Sequence, residues 1–123
     1  MADLLDTSIL VDLVRGDERA ERAIFFRTER PYVSHVSAME LLAGARSHRE
    51  ERWIDAILAS FRKADIDEAV FRLAGSHMRH YRASHNLDVP DALIAATAEH
   101  HGLKLATLNV KHFPMFKRLK AAY

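Results

Sequence analysis

Short apolar runs of strand length alternate with longer segments of helical periodicity along this chain of 123 residues. The predicted strands are residues 2–5, 32–36, 64–66 and 103–107, and helical patterns fill the intervals between them. A succession of this kind is typical of a parallel sheet with helices on both faces, connected by right-handed crossovers. The chain is therefore predicted to fold as an α/β protein around a central parallel sheet.

Caps and breakers set the predicted helix boundaries. Thr7 or Ser8 is predicted to cap a first helix that ends at Gly16, and Asp17 a second that ends near Thr28. Ser-x-x-Glu at residues 37–40 has the pattern of a capping box. Pro90 suits the first position of another helix. The remaining helices are predicted at residues 37–44, 48–60, 67–85 and 90–101.

Composition narrows the classes of protein to which the chain can belong. With 49% apolar and 28% charged residues and no Pro- or Gly-rich linker, residues 1–123 are predicted to form a single domain. The absence of cysteine excludes disulfides, thiolate metal sites and a cysteine nucleophile. No signal peptide or membrane-length apolar run is recognisable, so we expect a cytoplasmic protein without a membrane span.

The net charge of +1 excludes a protein that grips nucleic acid by its bulk charge. Any contact with nucleic acid must therefore come from local clusters of cations. Two such clusters are present, at residues 46–52 and 111–120, and each by itself is more simply explained as a solvated face.

Four polar side chains are predicted to meet at one edge of the sheet. Asp6 ends the first strand, Glu40 lies one turn into the helix after the second, Asp91 begins the helix before the last strand, and Asn109 follows that strand. Ligands of open α/β sheets bind beyond the carboxyl ends of the strands. Three crowded carboxylates repel one another, and a divalent cation such as Mg²⁺ relieves the repulsion. The pattern predicts a metal-assisted catalytic site.

Each of these residues also has a purely structural interpretation. Asp6 could be a helix N-cap, Glu40 the second member of the capping box, Asp91 an ordinary first-turn acid and Asn109 a turn residue. Only their convergence at one edge favours the catalytic interpretation.

The same segments carry a resemblance to a known family. The stretches are LLDTSILVDL (4–13), SAMELLAGA (37–45), VPDALIAATAEHHGLKLATLNVKHFPMF (89–116) and the terminal Tyr123, a little over a third of the chain. They resemble the PIN-domain family and, within it, the VapC-type toxins of type II VapBC toxin–antitoxin systems. The third stretch is the most specific of them.

The resemblance implies a three-layer α/β/α fold with a central parallel sheet of four to five strands. It also implies hydrolysis of RNA phosphodiester bonds by an endoribonuclease that depends on Mg²⁺ or Mn²⁺. The expected partners are an RNA substrate, a second copy of the chain in a homodimer, and a cognate VapB-like antitoxin that covers the cleft.

Carried over by position, the resemblance makes Asp6 and Asp91 the most direct metal ligands and Glu40 their partner in binding metal or water. Ser8 and Thr107 match small hydroxyl positions that support the site by hydrogen bonds.

Many members of the family have a fourth acid near the end of the last strand. Here that stretch contains Asn109 and His112, so the sequence does not determine whether the site binds a second metal ion. The Asn109 carbonyl can still orient a water or a metal ligand. Candidates for contact with the RNA backbone are Lys111, His112 and Arg46, because cations position phosphates.

Three other classes of protein share parts of this pattern. A haloacid-dehalogenase-like phosphatase would need a second Asp two residues after Asp6, where Ser8 stands. A phospho-accepting receiver domain would need paired acids, and Asp3 has the wrong strand phase to pair with Asp6. A catalytically weak PIN module that acts mainly as an antitoxin- or RNA-binding protein stays open, supported by the missing fourth acid.

Overall fold

The computed structural model describes residues 1–123, the whole chain. The four strands are β1 (Asp3–Leu5), β2 (Tyr32–Ser34), β3 (Arg62–Ala64) and β4 (Lys104–Ala106). The six helices are α1 (Thr7–Val14), α2 (Glu18–Phe25), α3 (His35–Ala43), α4 (His48–Ala59), α5 (Glu68–His85) and α6 (Val89–His100). A single 3₁₀ turn, η1 (Val110–His112), follows β4.

All strand pairs are parallel, and the order across the sheet is β3-β2-β1-β4. Leu4 of β1 lies opposite Tyr32 of β2 on one side and Leu105 of β4 on the other. The predicted three-layer α/β/α architecture is confirmed, with four strands.

Helices cover both faces of the sheet because consecutive side chains of β1 point to opposite sides. Leu5 packs in one apolar cluster with Leu10 of α1 and Ile54 of α4. Leu4 packs in another with Ile94 of α6 and with Phe113 after η1. Leu4 and Leu5 are both fully buried, as expected for a central strand of a parallel sheet. None of the helices is long and apolar enough to cross a membrane.

Several predicted boundaries are wrong by a few residues. The third strand spans Arg62–Ala64 instead of 64–66, and α2 ends at Phe25 instead of near Thr28. Phe26, the C-cap residue of α2, is 83% exposed, so its ring lies outside the core.

The caps of three helices also differ from the predicted ones. Asp6, not Thr7 or Ser8, occupies the N-cap position of α1. Ser34 caps α3 and accepts a hydrogen bond from the Val36 N–H, so Ser37 lies inside the first turn and forms no capping box. Asp88 caps α6, which therefore begins at residue 89, one position before Pro90. Each of α1, α3 and α6 therefore begins earlier in the chain than the apolar periodicity indicates.

Candidate active site

The carboxyl ends of β1 and β4 bring two distant parts of the chain together. Because these strands are parallel neighbours, the residues that follow them lie side by side: the Asp6 N–H donates to the Ala106 carbonyl over 2.8 Å. Asp6 and Thr107 therefore meet at the carboxyl edge of the sheet.

Two hydroxyls hold the Asp6 side chain. Thr107 Oγ1 donates to Asp6 Oδ2 at 2.7 Å, and Ser8 Oγ donates to the same oxygen at 2.8 Å. The Asp6 side chain makes no capping hydrogen bond to α1, so the purely structural interpretation as an N-cap side chain does not hold. Its hydrogen bonds involve Oδ2 alone, which leaves Oδ1 available to a cation or a water molecule.

Backbone donors fix the two hydroxyl groups in turn. The Leu108 N–H donates to Ser8 Oγ at 3.2 Å, and the Asn109 N–H donates to Thr107 Oγ1 at 2.9 Å. Thr107 is fully buried, whereas Asn109 is exposed. Each hydroxyl therefore has its own proton free for Asp6. Asn109 contributes to the site through its backbone N–H.

Glu40 reaches the site through Thr7, the residue next to Asp6. Thr7 Oγ1 lies 2.8 Å from Glu40 Oε1 and 2.8 Å from Ser37 Oγ. Glu40 thus points from α3 toward the N-terminus of α1, where the carboxyl edge of the sheet lies. Its carboxylate does not return to the start of its own helix as a capping box would require.

Asp91 lies in the first turn of α6, with 18% of its side chain exposed. Its backbone N–H donates to Oδ1 of Asp88 at 3.0 Å. Burial, followed by the negative charges of Asp88 and Asp6, raises the pKa of Asp91 to about 7. His112 Nδ1, 3.2 Å from Asp91 Oδ2, acts in the opposite direction. Asp91 and Asp6 therefore interact electrostatically, although α6 and β1 are far apart in sequence.

These carboxylates are suitable for a hard divalent cation. An acid whose protonation is favoured by neighbouring negative charge and burial is a group whose charge a cation would neutralise. Mg²⁺ commonly uses one or two protein carboxylates and keeps several waters. Asp6 and Asp91 meet that requirement, whereas no three His, Cys, Asp or Glu side chains lie together as a ready-made ligand set. Glu40 is tied to Thr7 at the border of the site.

The three predicted RNA-contacting residues fall in two places. Lys111 and His112 belong to η1 beside Asp91, and both are exposed. Arg46 lies beyond the C-terminal end of α3, the end away from the carboxyl edge, and forms an ion pair of 3.0 Å with Glu50. The structure therefore brings His112 into contact with Asp91, leaves Lys111 exposed next to it in η1, and leaves Arg46 apart from the site.

Sequence reasoning overlooked three polar residues of this region: Thr7, Ser37 and Asp88. Thr7 and Ser37 were interpreted only as possible helix caps, because their contact spans 30 positions and has no local signal. Asp88 had a signal, since Asp three residues before Asp91 matches the spacing of an N-cap and its third helical residue.

Comparisons with known proteins agree with this arrangement. The model of the PIN domain family matches residues 4–120. The chain is 44% identical over 124 residues to Ribonuclease VapC10 of Mycobacterium tuberculosis, which covers 98% of this chain and 92% of that protein. It is 37% identical to Ribonuclease VapC19 of the same organism, over 98% of both proteins.

A solved structure shares the fold over its whole length. A toxin–antitoxin complex from Klebsiella pneumoniae matches with a TM-score of 0.83 and 30% identity, covering 99% of this chain and 98% of that one. The family model, the two relatives and the solved structure each match nearly the whole chain. The chain belongs to the PIN-domain family.

Proposed function

We propose that this protein is a metal-dependent endoribonuclease, the toxin of a toxin–antitoxin pair, and that it uses Mg²⁺ or Mn²⁺. The observation that carries the proposal is the Asp6 carboxylate, which Ser8 and Thr107 hold through Oδ2 alone. The charge of Asp6 contributes to raising the pKa of Asp91, and Oδ1 of Asp6 has no hydrogen bond of its own. The relatives named as ribonucleases support RNA as the substrate.

In this proposal, Asp6 and Asp91 hold the cation and Glu40 helps to bind it or orients the attacking water. Ser8 and Thr107 keep Oδ2 of Asp6 occupied, so that the carboxylate presents Oδ1. When bound, the cation would polarise the phosphoryl oxygen and stabilise the charge that develops on it during hydrolysis. The Asn109 side chain is exposed at the same edge and can orient a water through its carbonyl.

Contact with the RNA backbone is assigned to Lys111 and His112. Their exposure in η1, with His112 next to Asp91, suits residues that position a phosphate beside the cation. Arg46 is a weaker candidate, since its guanidinium is paired with Glu50 beyond the C-terminal end of α3.

The partners follow from the same proposal. A cognate VapB-like antitoxin is expected because the matching Klebsiella pneumoniae structure is a toxin–antitoxin complex. A homodimer is expected as well, and Met39 and Leu42 on the exposed side of α3 offer apolar surface for such an interface. The expected site of action is the cytoplasm, where the RNA substrate is found.

The test is cleavage of total cellular RNA by the purified protein, with mapping of the ends, in Mg²⁺, in Mn²⁺ and in EDTA. Asp6→Asn and Asp91→Asn should each abolish cleavage, and EDTA should abolish it in the parent. Asp55→Asn, a change of the same chemistry at an exposed position on α4, is the matched control and should cleave like the parent. Cleavage at the parent rate by either site variant would show that the site is misassigned.

The weakly catalytic alternative has its own outcome in this experiment. It rests on Asn109 in place of a fourth acid. A protein of that kind would leave RNA uncut in both metals, while still binding it or the antitoxin. Cleavage that depends on metal and on Asp6 would exclude the alternative.

A further inference from the structure

We propose that Thr7 is a positioning residue for Glu40, and that Ser37 sets the direction of the hydrogen bond by which Thr7 does this. The proposed arrangement is a chain in which the Ser37 hydroxyl donates to Thr7 and the Thr7 hydroxyl donates to Glu40. It rests on the proposed function, in which Glu40 serves the catalytic site.

The direction follows from counting protons. Thr7 Oγ1 lies 2.8 Å from Glu40 Oε1 and 2.8 Å from Ser37 Oγ, yet it carries a single hydrogen. An ionised carboxylate can only accept, so the Thr7 hydrogen goes to Glu40. The contact between the two hydroxyls must then be donated by Ser37.

Burial makes this arrangement persistent. Ser37 is fully buried inside the first turn of α3, so solvent does not compete for its proton. Thr7 is the only hydrogen-bonding partner of the Ser37 hydroxyl. A buried hydroxyl without a partner is unfavourable, which favours the orientation in which Ser37 donates to Thr7.

Thr7 also connects the two acidic parts of the site. It follows Asp6 directly and begins α1, and α1 packs against α3. A β-branched side chain at a fixed backbone position has few rotamers, whereas Glu40 has three rotatable side-chain bonds. The contact therefore holds the flexible carboxylate of Glu40 at a fixed position relative to the β1–α1 junction. Without the Thr7 hydroxyl, that carboxylate would sample other rotamers.

The test compares variants that remove or keep the hydroxyl. Thr7→Val keeps the shape and removes the hydroxyl, Thr7→Ser keeps the hydroxyl, and Ser37→Ala removes the donor behind it. Thr28→Val is the matched control, because Thr28 is exposed and makes no side-chain hydrogen bond. Two quantities are measured for each: kcat and KM on an RNA oligonucleotide, and the Mn²⁺ concentration that gives half-maximal thermal stabilisation.

Thr7→Val should lower kcat on the order of tenfold, as the loss of one hydrogen bond to a charged group allows, with KM little changed. The half-maximal Mn²⁺ concentration should rise several-fold in the same variant. Ser37→Ala should shift both quantities in the same direction by less, and Thr7→Ser should restore both. In the double variant of Thr7→Val and Ser37→Ala, the second change should add nothing, because the chain is already interrupted.

Equal losses in Thr7→Val and Thr7→Ser would overturn the proposal, as would additive losses in the double variant. So would parent-like values of both quantities in Thr7→Val. If Thr7→Val does not fold, Ser37→Ala decides by the same two measurements. If the parent itself cleaves no RNA, the proposed function fails, and the Mn²⁺ titration still decides whether Thr7 positions Glu40.

Discussion

The Thr107 hydroxyl donates a hydrogen bond of 2.7 Å to Oδ2 of Asp6, a residue 101 positions earlier in the chain. The bond joins the ends of the neighbouring strands β4 and β1, and both partners are buried. A buried carboxylate is unfavourable unless its oxygens are hydrogen-bonded or bound to a cation. Thr107 and Ser8 therefore stabilise the Asp6 carboxylate at the edge of an apolar core.

Thr107→Val should destabilise the metal-free protein. The change leaves the shape of the side chain and removes a donor to a buried charged group, which costs on the order of 1–3 kcal/mol of unfolding free energy. Urea denaturation at pH 7 in EDTA would measure the loss. Thr107→Ser, which keeps the hydroxyl, should retain most of the stability. Equal losses in the two variants would show that the methyl packing of Thr107 is important and the hydrogen bond is not.

The stability of the metal-free protein should depend on pH through Asp91. The pKa of this group is about 7 in the folded protein, against 3.8 for the ordinary carboxyl group. Between these two values the folded state holds one more proton than the unfolded state, so the free energy of unfolding falls as the pH rises and levels off above pH 7.

Asp91→Asn reports this effect directly, because Asn stays neutral at every pH. The variant and the parent should be equally stable near pH 4, and the variant should be increasingly more stable up to pH 7. Urea denaturation in EDTA at four or five pH values measures the difference, with Asp55→Asn as the control that should follow the parent. A difference that is constant with pH would contradict the raised pKa of Asp91.

Tyr123→Phe should weaken the attachment of the C-terminal residues to α1. The Tyr123 hydroxyl donates to Oδ2 of Asp12 on α1 at 2.6 Å, which ties the last residue of the chain to the first helix. Burial, together with that contact, raises the pKa of the Tyr123 phenol above its usual range. Loss of the hydroxyl should lower the free energy of unfolding by about 1 kcal/mol. Tyr81→Phe, whose hydroxyl has no protein partner, should change it by less than about 0.5 kcal/mol in urea denaturation.

Two phenylalanines should respond in opposite ways to truncation. Phe113 is 1% exposed and packs with Leu4 and Ile94, so Phe113→Ala should cost about 3–5 kcal/mol of unfolding free energy. Phe26 is 83% exposed beyond the end of α2, and Phe26→Ala should stay within about 0.5 kcal/mol of the parent. Thermal or chemical denaturation measures both. A large loss for Phe26→Ala at low protein concentration would contradict the exposed position of that ring.

The sequence by itself determined the order of strands and helices, and it indicated the polar residues that end up near the carboxyl edge of the sheet. Asp6 and Asn109 could be placed there because a period of two or 3.6 residues identifies strands and helices, and parallel strands end on one side. The helix starts were less well determined. Ser34 and Asp88 cap α3 and α6 because packing against the sheet begins each helix earlier than its apolar pattern does.

Only the tertiary structure decided which hydroxyls and charges face one another. The contacts of Thr7 with Ser37 and Glu40 span 30 and 33 positions, and no local pattern encodes a contact across that distance. The raised pKa of Asp91 likewise results from its burial, followed by the charges of Asp88 and Asp6, and its burial and the approach of Asp6 from the end of β1 depend on tertiary packing. Side-chain contact and dielectric environment depend on how elements pack, and packing is a property of the whole chain, whereas periodicity is local.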